Sequence, residues 1–476
     1  MNRRKFIQQG GAISFGILTG NSLSANQPGD SYRPEAFELQ LKSEEDIYTF
    51  VSANNGAGPM WDQGMTNIIR AGNQVFASGL ETVPEVKGLS NCKWLLFKRF
   101  DSGWKLEAKD LINLTREPCP LATFGEDKIL LSVNPKQADS CIEYCLTHPE
   151  ILQFDGNNLP QPYERLIPAW KINPGFNDHS YRAFAVDGEN QELILFQNYM
   201  YHHAEWSFRN KQGVWQSSDE IYWPTDTYNG KEVPLRLCYS NVAIRNKQVY
   251  FFSTGDIVEP IDAWRNYKKE LTGATWDYVF RRLYFSWTDD ITQKRFHSWI
   301  EIANRDKTAG HIRNQDLWLD KEGNVHLLWI EYAIDERLRE RFFPKEKQER
   351  SLNYAVIKKG KIVTRNALLT CREGDADQVY VAGNARFQAL PDGRLFVIYY
   401  QTGKQADGKA ISENAVMEIL PGGKRGTIQQ IPLKKAFTLF HTANERAGCS
   451  PSHRIDILGT QEGKENTISY AQVDIN

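Results

Sequence analysis

The sequence predicts an all-β protein built as a single seven-bladed β-propeller. Three observations carry that prediction. A strand–turn–strand phrase recurs seven times along the chain. Its copies begin roughly 50 to 75 residues apart, which leaves room for two further strands in each repeat. The composition also suits pleated sheet: 13 Trp, 20 Tyr and 24 Phe stand against 5 Met among 476 residues, with Gly and Pro punctuating the chain at short intervals. Hydrophobic residues make up 41 %, enough to fill a large core, which excludes general disorder. Lys and Arg total 57 against 59 Asp and Glu, a formal charge of −2. That balance removes the electrostatic basis for nucleic-acid binding. No apolar run reaches the ~20 residues of a membrane-spanning helix.

The chain opens MNRRKFIQQGGAISFGILTGNSLSAN. Arg3 and Arg4 precede a weakly apolar, glycine-containing stretch that ends in small residues at Ala25. This layout resembles a twin-arginine export signal over residues 1–25. Residues 26–476 are then the propeller, and the protein is expected in the periplasm or outside the cell. The alternative is an ordinary basic amino terminus. Seven cysteines are an odd number, so an exported chain cannot pair all of them internally. Cys141 and Cys145 are close in sequence; the other five are scattered.

The repeated phrase reads NIIRAGNQVFASG from Asn67, PLATFGEDKILLSV from Pro120 and YRAFAVDGENQELILFQNY from Tyr181. It continues as NVAIRNKQVYFFSTG from Asn241, NQDLWLDKEGNVHLLWIE from Asn314 and NARFQALPDGRLFVIYYQ from Asn384. A degenerate seventh copy, HRIDILGTQEGKENTISYAQV, starts at His453. Each joins an alternating segment to a β-rich apolar run through a polar turn, the signature of a hairpin. Outer strands follow as CKWLLFKRF and GWKLEAKDL, RRLYFSW and KRFHSWIEI, LNYAVIKK and KIVTRNALL. The last copy lacks an outer hairpin. The segments AFELQL and IYTFV, near residues 36–51, are expected to complete that blade and close the ring.

Propeller geometry ranks the polar residues. One rim gathers the residues before each innermost strand, those ending the second strand and those starting the third. His179 precedes the first strand of blade three, and His202 and His203 end its second. Arg236 and Tyr239 lead into blade four; Tyr278, Arg281 and Arg282 open its third strand. Trp206 and Arg313 join them as candidates for sugar contact. Taken singly, each could be a cross-strand pair or a cation–π contact. A convergence of His, Tyr and Arg on one rim instead suggests a reactive patch.

The runs DHSYRAFAVDG and LILFQNYMYHH, then CYSNVAIRNKQVYFF and RRLYFSWTDD, resemble BNR-type propeller polysaccharide lyases of the ulvan-lyase kind. The likeness is strongest over about 176–330. It implies seven blades and cleavage beside a uronic acid. It also implies functional residues at His179, His202 (or His203), Tyr239 and Arg282 (or Arg281). Two departures stand out: the second histidine is doubled, and DIVEPIDAWRNYKKELTGATWDYVF is inserted before the arginines. The chemistry is consistent with these types. β-Elimination needs a base near neutral pKa, an acid at the leaving oxygen and a cation at the carboxylate. Histidine suits the first, tyrosine the second and the arginine fork the third. His179 and Tyr239 are assigned the proton transfers, and His202 and Arg282 the carboxylate. His203, Arg236, Tyr278, Arg281, Trp206 and Arg313 are expected to bind substrate.

Two other readings stay open: a propeller glycoside hydrolase, rhamnosidase- or sialidase-like, and a non-catalytic carbohydrate-binding propeller. Ordinary hydrolases need two facing carboxylates, and the rim offers only Asp178 and Glu205 beside histidines. The densest group of soft ligands is His441, Cys449 and His453, with His311 as a fourth candidate. These could hold a structural Zn²⁺, or form a free cysteine with surface histidines. GxGxxG, Walker and HExxH patterns are absent, so no organic cofactor is expected. The expected partner is an anionic polysaccharide, met by a monomeric chain.

Overall fold

Each of the first six phrases folds into the antiparallel pair that begins a blade. In a computed structural model describing residues 36–476, apart from 62–63, 139 and 172–174, seven four-stranded sheets follow one another along the chain. The expected export signal lies outside the described residues. Blade one runs from Ile68–Ala71 through Gln74–Thr82 and Cys92–Phe100 to Gly103–Lys109. Blade three comprises Arg182–Asp187, Glu192–Tyr199, His203–Arg209 and Trp215–Tyr222. Blade four comprises Leu237–Arg245, Gln248–Gly255, Arg282–Thr288 and Ile300–Asn304. This is the predicted seven-bladed propeller.

The inner strands read as near-continuous apolar runs because each sheet is covered on both faces by its neighbours. Ile194, Phe196, Trp206 and Phe208 of blade three pack on Val242, Ile244, Val249 and Phe251 of blade four. Each core therefore sits between blades. The hairpin turns follow local chemistry. Asn246 and Lys247 take φ of 51° and 67°, the left-handed pair that a two-residue turn between twisted strands requires.

The seventh blade corrects the reading of the last phrase. Its innermost strand is Phe437–Thr442, and the His453 phrase supplies the second and third strands, Arg454–Gln461 and Lys464–Ile475. FTLFHT is too short to show a hairpin pattern of its own, which hid it. One continuous strand, Leu39–Thr49, adds the fourth, pairing antiparallel with Lys464–Ile475 so that Leu39 faces Ile475. Closure by the amino-terminal segment is as expected, with a single strand where two short ones were foreseen.

Two insertions build a wall on the rim of blades four and five. The blade-four insertion forms a short ribbon, Ile257–Val258 with Tyr278–Val279, and the helix Asp262–Thr272. The helix Glu336–Phe342 rises from the equivalent loop of blade five, and Trp264 meets Phe343 edge-on at 5.4 Å. Lys268, fully buried, ties the base of this wall to Glu259 at 2.7 Å and Asp277 at 2.6 Å.

Candidate active site

The rim over blades two to four carries a compact patch of aromatic rings and cations. Tyr239 is aimed into it by its backbone. At the start of blade four the register slips between Cys238 and Asn241, a bulge that leaves Tyr239 at φ 58°. Such a conformation costs a non-glycine residue on the order of 1–3 kcal/mol and recurs at functional sites. Asn314 Nδ2 donates to the Tyr239 carbonyl at 2.5 Å and fixes the bulge. Gly64 packs so closely that a Cβ there would lie 2.6 Å from the same oxygen. The Tyr239 ring meets Tyr181 at 5.3 Å, Trp61 at 5.5 Å and Phe280 at 5.9 Å.

His179 is half-buried and stacks on Tyr144 at 4.6 Å. Its backbone is held by Asn177 Oδ1, which accepts from the His179 amide at 2.9 Å. Burial pushes its pKa down to about 4, reinforced by the positive charges of Arg116 and Arg236. The ring is therefore a neutral imidazole at neutral pH. Arg236 lies over Tyr201 at 4.6 Å, Tyr181 at 5.1 Å and Tyr278 at 5.3 Å, and is paired with Asp256. Arg116 lies over Trp61 at 5.2 Å and donates to the carbonyls of Asn55 and Asp178, each at 3.1 Å. Burial raises the phenol pKa of Tyr181 well above the ordinary value.

Of the residues foreseen, His179, Tyr239, Arg236 and Tyr278 belong to this patch. His202 is exposed on the same rim, one residue beyond the Tyr201 that Arg236 covers. Others are used elsewhere. Arg282 is held by Asp226, by Glu301 at 3.0 Å and by Asp306 at 2.6 Å, so its charge is already compensated. Arg281 is buried against Glu259. Trp206 is wholly buried in the core between blades three and four and cannot stack on a sugar. His203 is buried and turned towards Glu205. The Arg313 guanidinium donates to the Gly383 carbonyl. The sequence reading missed Arg116, Trp61, Tyr181 and Tyr144. Arg116 was findable, because it precedes the first strand of blade two just as His179 precedes that of blade three. Tyr144 was not, since its loop contributes to no repeat.

Beyond Phe280 the rim continues into a second hollow of about 330 Å³. His311 lies there, meeting Phe280 at 5.7 Å and Tyr332 at 6.1 Å, its pKa pushed down to about 3 chiefly by burial. Arg350 is set between Tyr332 and Tyr380, 4.3 Å from the latter ring.

The foreseen zinc ligands are not brought together. Cys449 and His453 lie on the connection between the first two strands of blade seven, on the rim opposite His311. His441 is buried within that blade. The misplaced register of the last phrase explains the error. Cys449 Sγ accepts instead from the Arg70 amide at 3.4 Å, and burial pushes its thiol up to about 11. Among the described residues, the group that could hold a metal is His203, Glu205 and Glu220. Burial pushes the Glu205 carboxyl up to about 7, and the Glu220 charge adds to the effect. Cys141 and Cys145, close in sequence, form a disulfide.

No family model matches the sequence, and no curated protein matches it. Solved structures do resemble it. The polysaccharide lyase Uly1 superposes with a TM-score of 0.52 at 10 % identity, covering 92 % of this chain and 98 % of that one. An ulvan lyase bound to -[GlcA(1-4)Rha3S]- superposes at 0.51 and 9 % identity, covering 90 % and 95 %. An α-L-arabinanase of Penicillium chrysogenum superposes at 0.38 and 10 % identity, covering 91 % and 98 %, too loose a likeness to bear on activity. At these identities the likeness establishes the propeller fold alone.

Proposed function

We propose that this protein is an exported lyase that cleaves an anionic, uronate-containing polysaccharide by β-elimination. Ulvan-type polymers of glucuronate and sulfated rhamnose are its first candidate substrate. The observation that carries the reading is His179, a neutral imidazole on an open rim beside the cations Arg116 and Arg236. A base must be unprotonated before it acts, and a carboxylate whose α-proton is leaving needs positive charge beside it. This patch offers both within one constellation.

In the proposed reaction His179 takes the C5 proton of the uronate. The electron pair of that C–H bond becomes the C4–C5 double bond, and the C4–oxygen bond breaks. The leaving oxygen takes a proton from the Tyr239 hydroxyl. The reverse division, with Tyr239 as base and His179 as acid, uses the same atoms. Arg116 stabilises the carboxylate as charge grows on it, with His202 donating from the rim edge, while Arg236, paired with Asp256, holds the rings of Tyr181, Tyr201 and Tyr278 in place. Arg282 passes from this role to a structural one because three carboxylates surround it. Trp61, Tyr181 and Tyr201 provide ring faces for the sugars. A hydrolase reading needs two free carboxylates facing one another across the bond, and it finds less support: of the carboxylates beside the patch, Glu117 and Asp256 are paired with Arg116 and Arg236, and Asp178 is buried.

Mass analysis of the products tests the reading. Elimination yields oligosaccharides one water lighter than hydrolysis of the same bond. Products carrying that water would reject the lyase in favour of a hydrolase, and an uncut but bound polymer would indicate a binding propeller.

A further inference from the structure

We infer that blade three carries a divalent transition-metal site, formed by His203 Nε2 and the carboxylates of Glu205 and Glu220, that clamps its two outer strands next to the rim. The strand pattern assembles it. His203 and Glu205 are two residues apart on the third strand and so share one face. Glu220 stands directly opposite Glu205 on the fourth. The other face, with Ala204 and Trp206, belongs to the core against blade four, so these three polar groups are gathered on the side that core does not use.

The distances suit a small cation. One ligand atom from each residue lies within 4.8 Å of the others, and His203 Nε2 is 3.2 Å from Glu205 Oε1. Donors at the corners of a tetrahedral zinc site are about 3.4 Å apart. The imidazole plane is set by Tyr199 and Tyr222, each ring centre 5.2 Å away. Tyr222 also donates its hydroxyl to Glu220 Oε2 at 2.7 Å, an outer contact of the kind that orients a ligating carboxylate.

A second, independent observation points to a ligand. Glu205 is 0 % exposed, and among the described residues its Oε2 has no hydrogen-bond partner. A buried carboxylate set opposite a second one across a strand pair is costly unless a cation compensates it. The nearest lysine does so only at the edge: Lys171 Nζ is 2.8 Å from Asp219 and 3.7 Å from Glu220. One imidazole and two carboxylates form a nitrogen–oxygen set suited to Zn²⁺, Co²⁺ or Mn²⁺, whereas Ca²⁺ takes six or more oxygens. The site adjoins the patch through its own chain, since His203 follows Tyr201 and His202 directly. Its cation would hold the turn that presents them. This role is positional and stands whether or not the lyase reading does.

The test uses the full chain stripped with a chelator and refilled with Zn²⁺ or Co²⁺. Elemental analysis should find one equivalent of Zn²⁺ per chain, and the thermal midpoint should rise on refilling, as for any ligand that binds only the folded state. The Co²⁺ form should lack the near-ultraviolet band of a thiolate ligand. His203→Ala and Glu220→Gln should each lose the bound equivalent, and His453→Ala should keep it. Failure of the wild-type protein to take up a stoichiometric metal would overturn the site. So would a thiolate band, or retention of the metal in both His203→Ala and Glu220→Gln. If those variants fail to fold, the wild-type Co²⁺ spectrum decides.

Discussion

His179 owes its proposed reactivity to where the fold places its charge balance. Burial and two nearby arginines disfavour the imidazolium, so folding lowers its pKa from the ordinary 6.5 to about 4. The base is therefore already unprotonated across the neutral range, and acid inactivates it only near the lowered value. The acid limb of kcat/KM, which reports the free enzyme, should fall near pH 4 and not near 6.5. A limb near 7 would point instead to Glu117, whose buried carboxyl is pushed up to about 7. His179→Ala should lower kcat/KM on the order of 10²-fold or more while leaving the fold intact. The two arginines of blades two and four separate cleanly by the same measurement. Arg116→Ala should cost a comparable factor by removing the charge beside the carboxylate. Arg282→Ala should chiefly lower the thermal midpoint, because it leaves Asp226, Glu301 and Asp306 facing one another. The reverse ranking would restore Arg282 as the clamp.

At the scale of elements, loops carry what the blades position. The Cys141–Cys145 disulfide closes the loop that stacks Tyr144 on His179. The Cys145 carbonyl also accepts the Asp178 amide at 3.0 Å. Cys141→Ser with Cys145→Ser should raise KM several-fold and leave the far-ultraviolet circular dichroism unchanged. Lys268→Ala should be more disruptive, by about 1–3 kcal/mol, since it removes a fully buried cation shared by Glu259 and Asp277 at the base of the rim wall while Arg281 still pairs Glu259; urea unfolding measures it. The hairpins were legible because alternation and turn residues are local: phrases such as NVAIRNKQVYFFSTG map directly onto paired strands. The rim positions of His179 and Tyr239 followed from strand order. Arg282 and Trp206 did not, because their partners come from other segments. Three carboxylates from residues 226, 301 and 306 absorb the arginine, and a neighbouring blade absorbs the tryptophan. His441, Cys449 and His453 looked like a ligand set because they are dense in sequence and spaced as in zinc sites, and His311 joined them because blade seven was read one strand out of register.

The whole ring depends on its closure. Leu39–Thr49 completes the last blade, and Tyr48 then reaches across to the first. Its hydroxyl accepts from the Leu80 amide at 3.0 Å, its ring stacks on Phe97 at 5.0 Å, and it lies flat on Gly79, where a Cβ would come within 2.6 Å. Tyr48→Ala should therefore destabilise the entire propeller by about 2 kcal/mol or more, seen as one cooperative shift and not as local fraying. A closed ring holds blades two to four at a fixed spacing, and that spacing brings Arg116, His179, Arg236 and Tyr239 to one patch. The central claim is that this patch eliminates across a uronate. The most direct measurement is the ultraviolet absorbance of the 4,5-unsaturated uronate while purified protein acts on ulvan, with His179→Ala run in parallel. The account predicts steady growth of the chromophore with wild-type protein and near-complete loss of it with the folded variant. New chain ends formed without the chromophore, or an undiminished signal from His179→Ala, would contradict it.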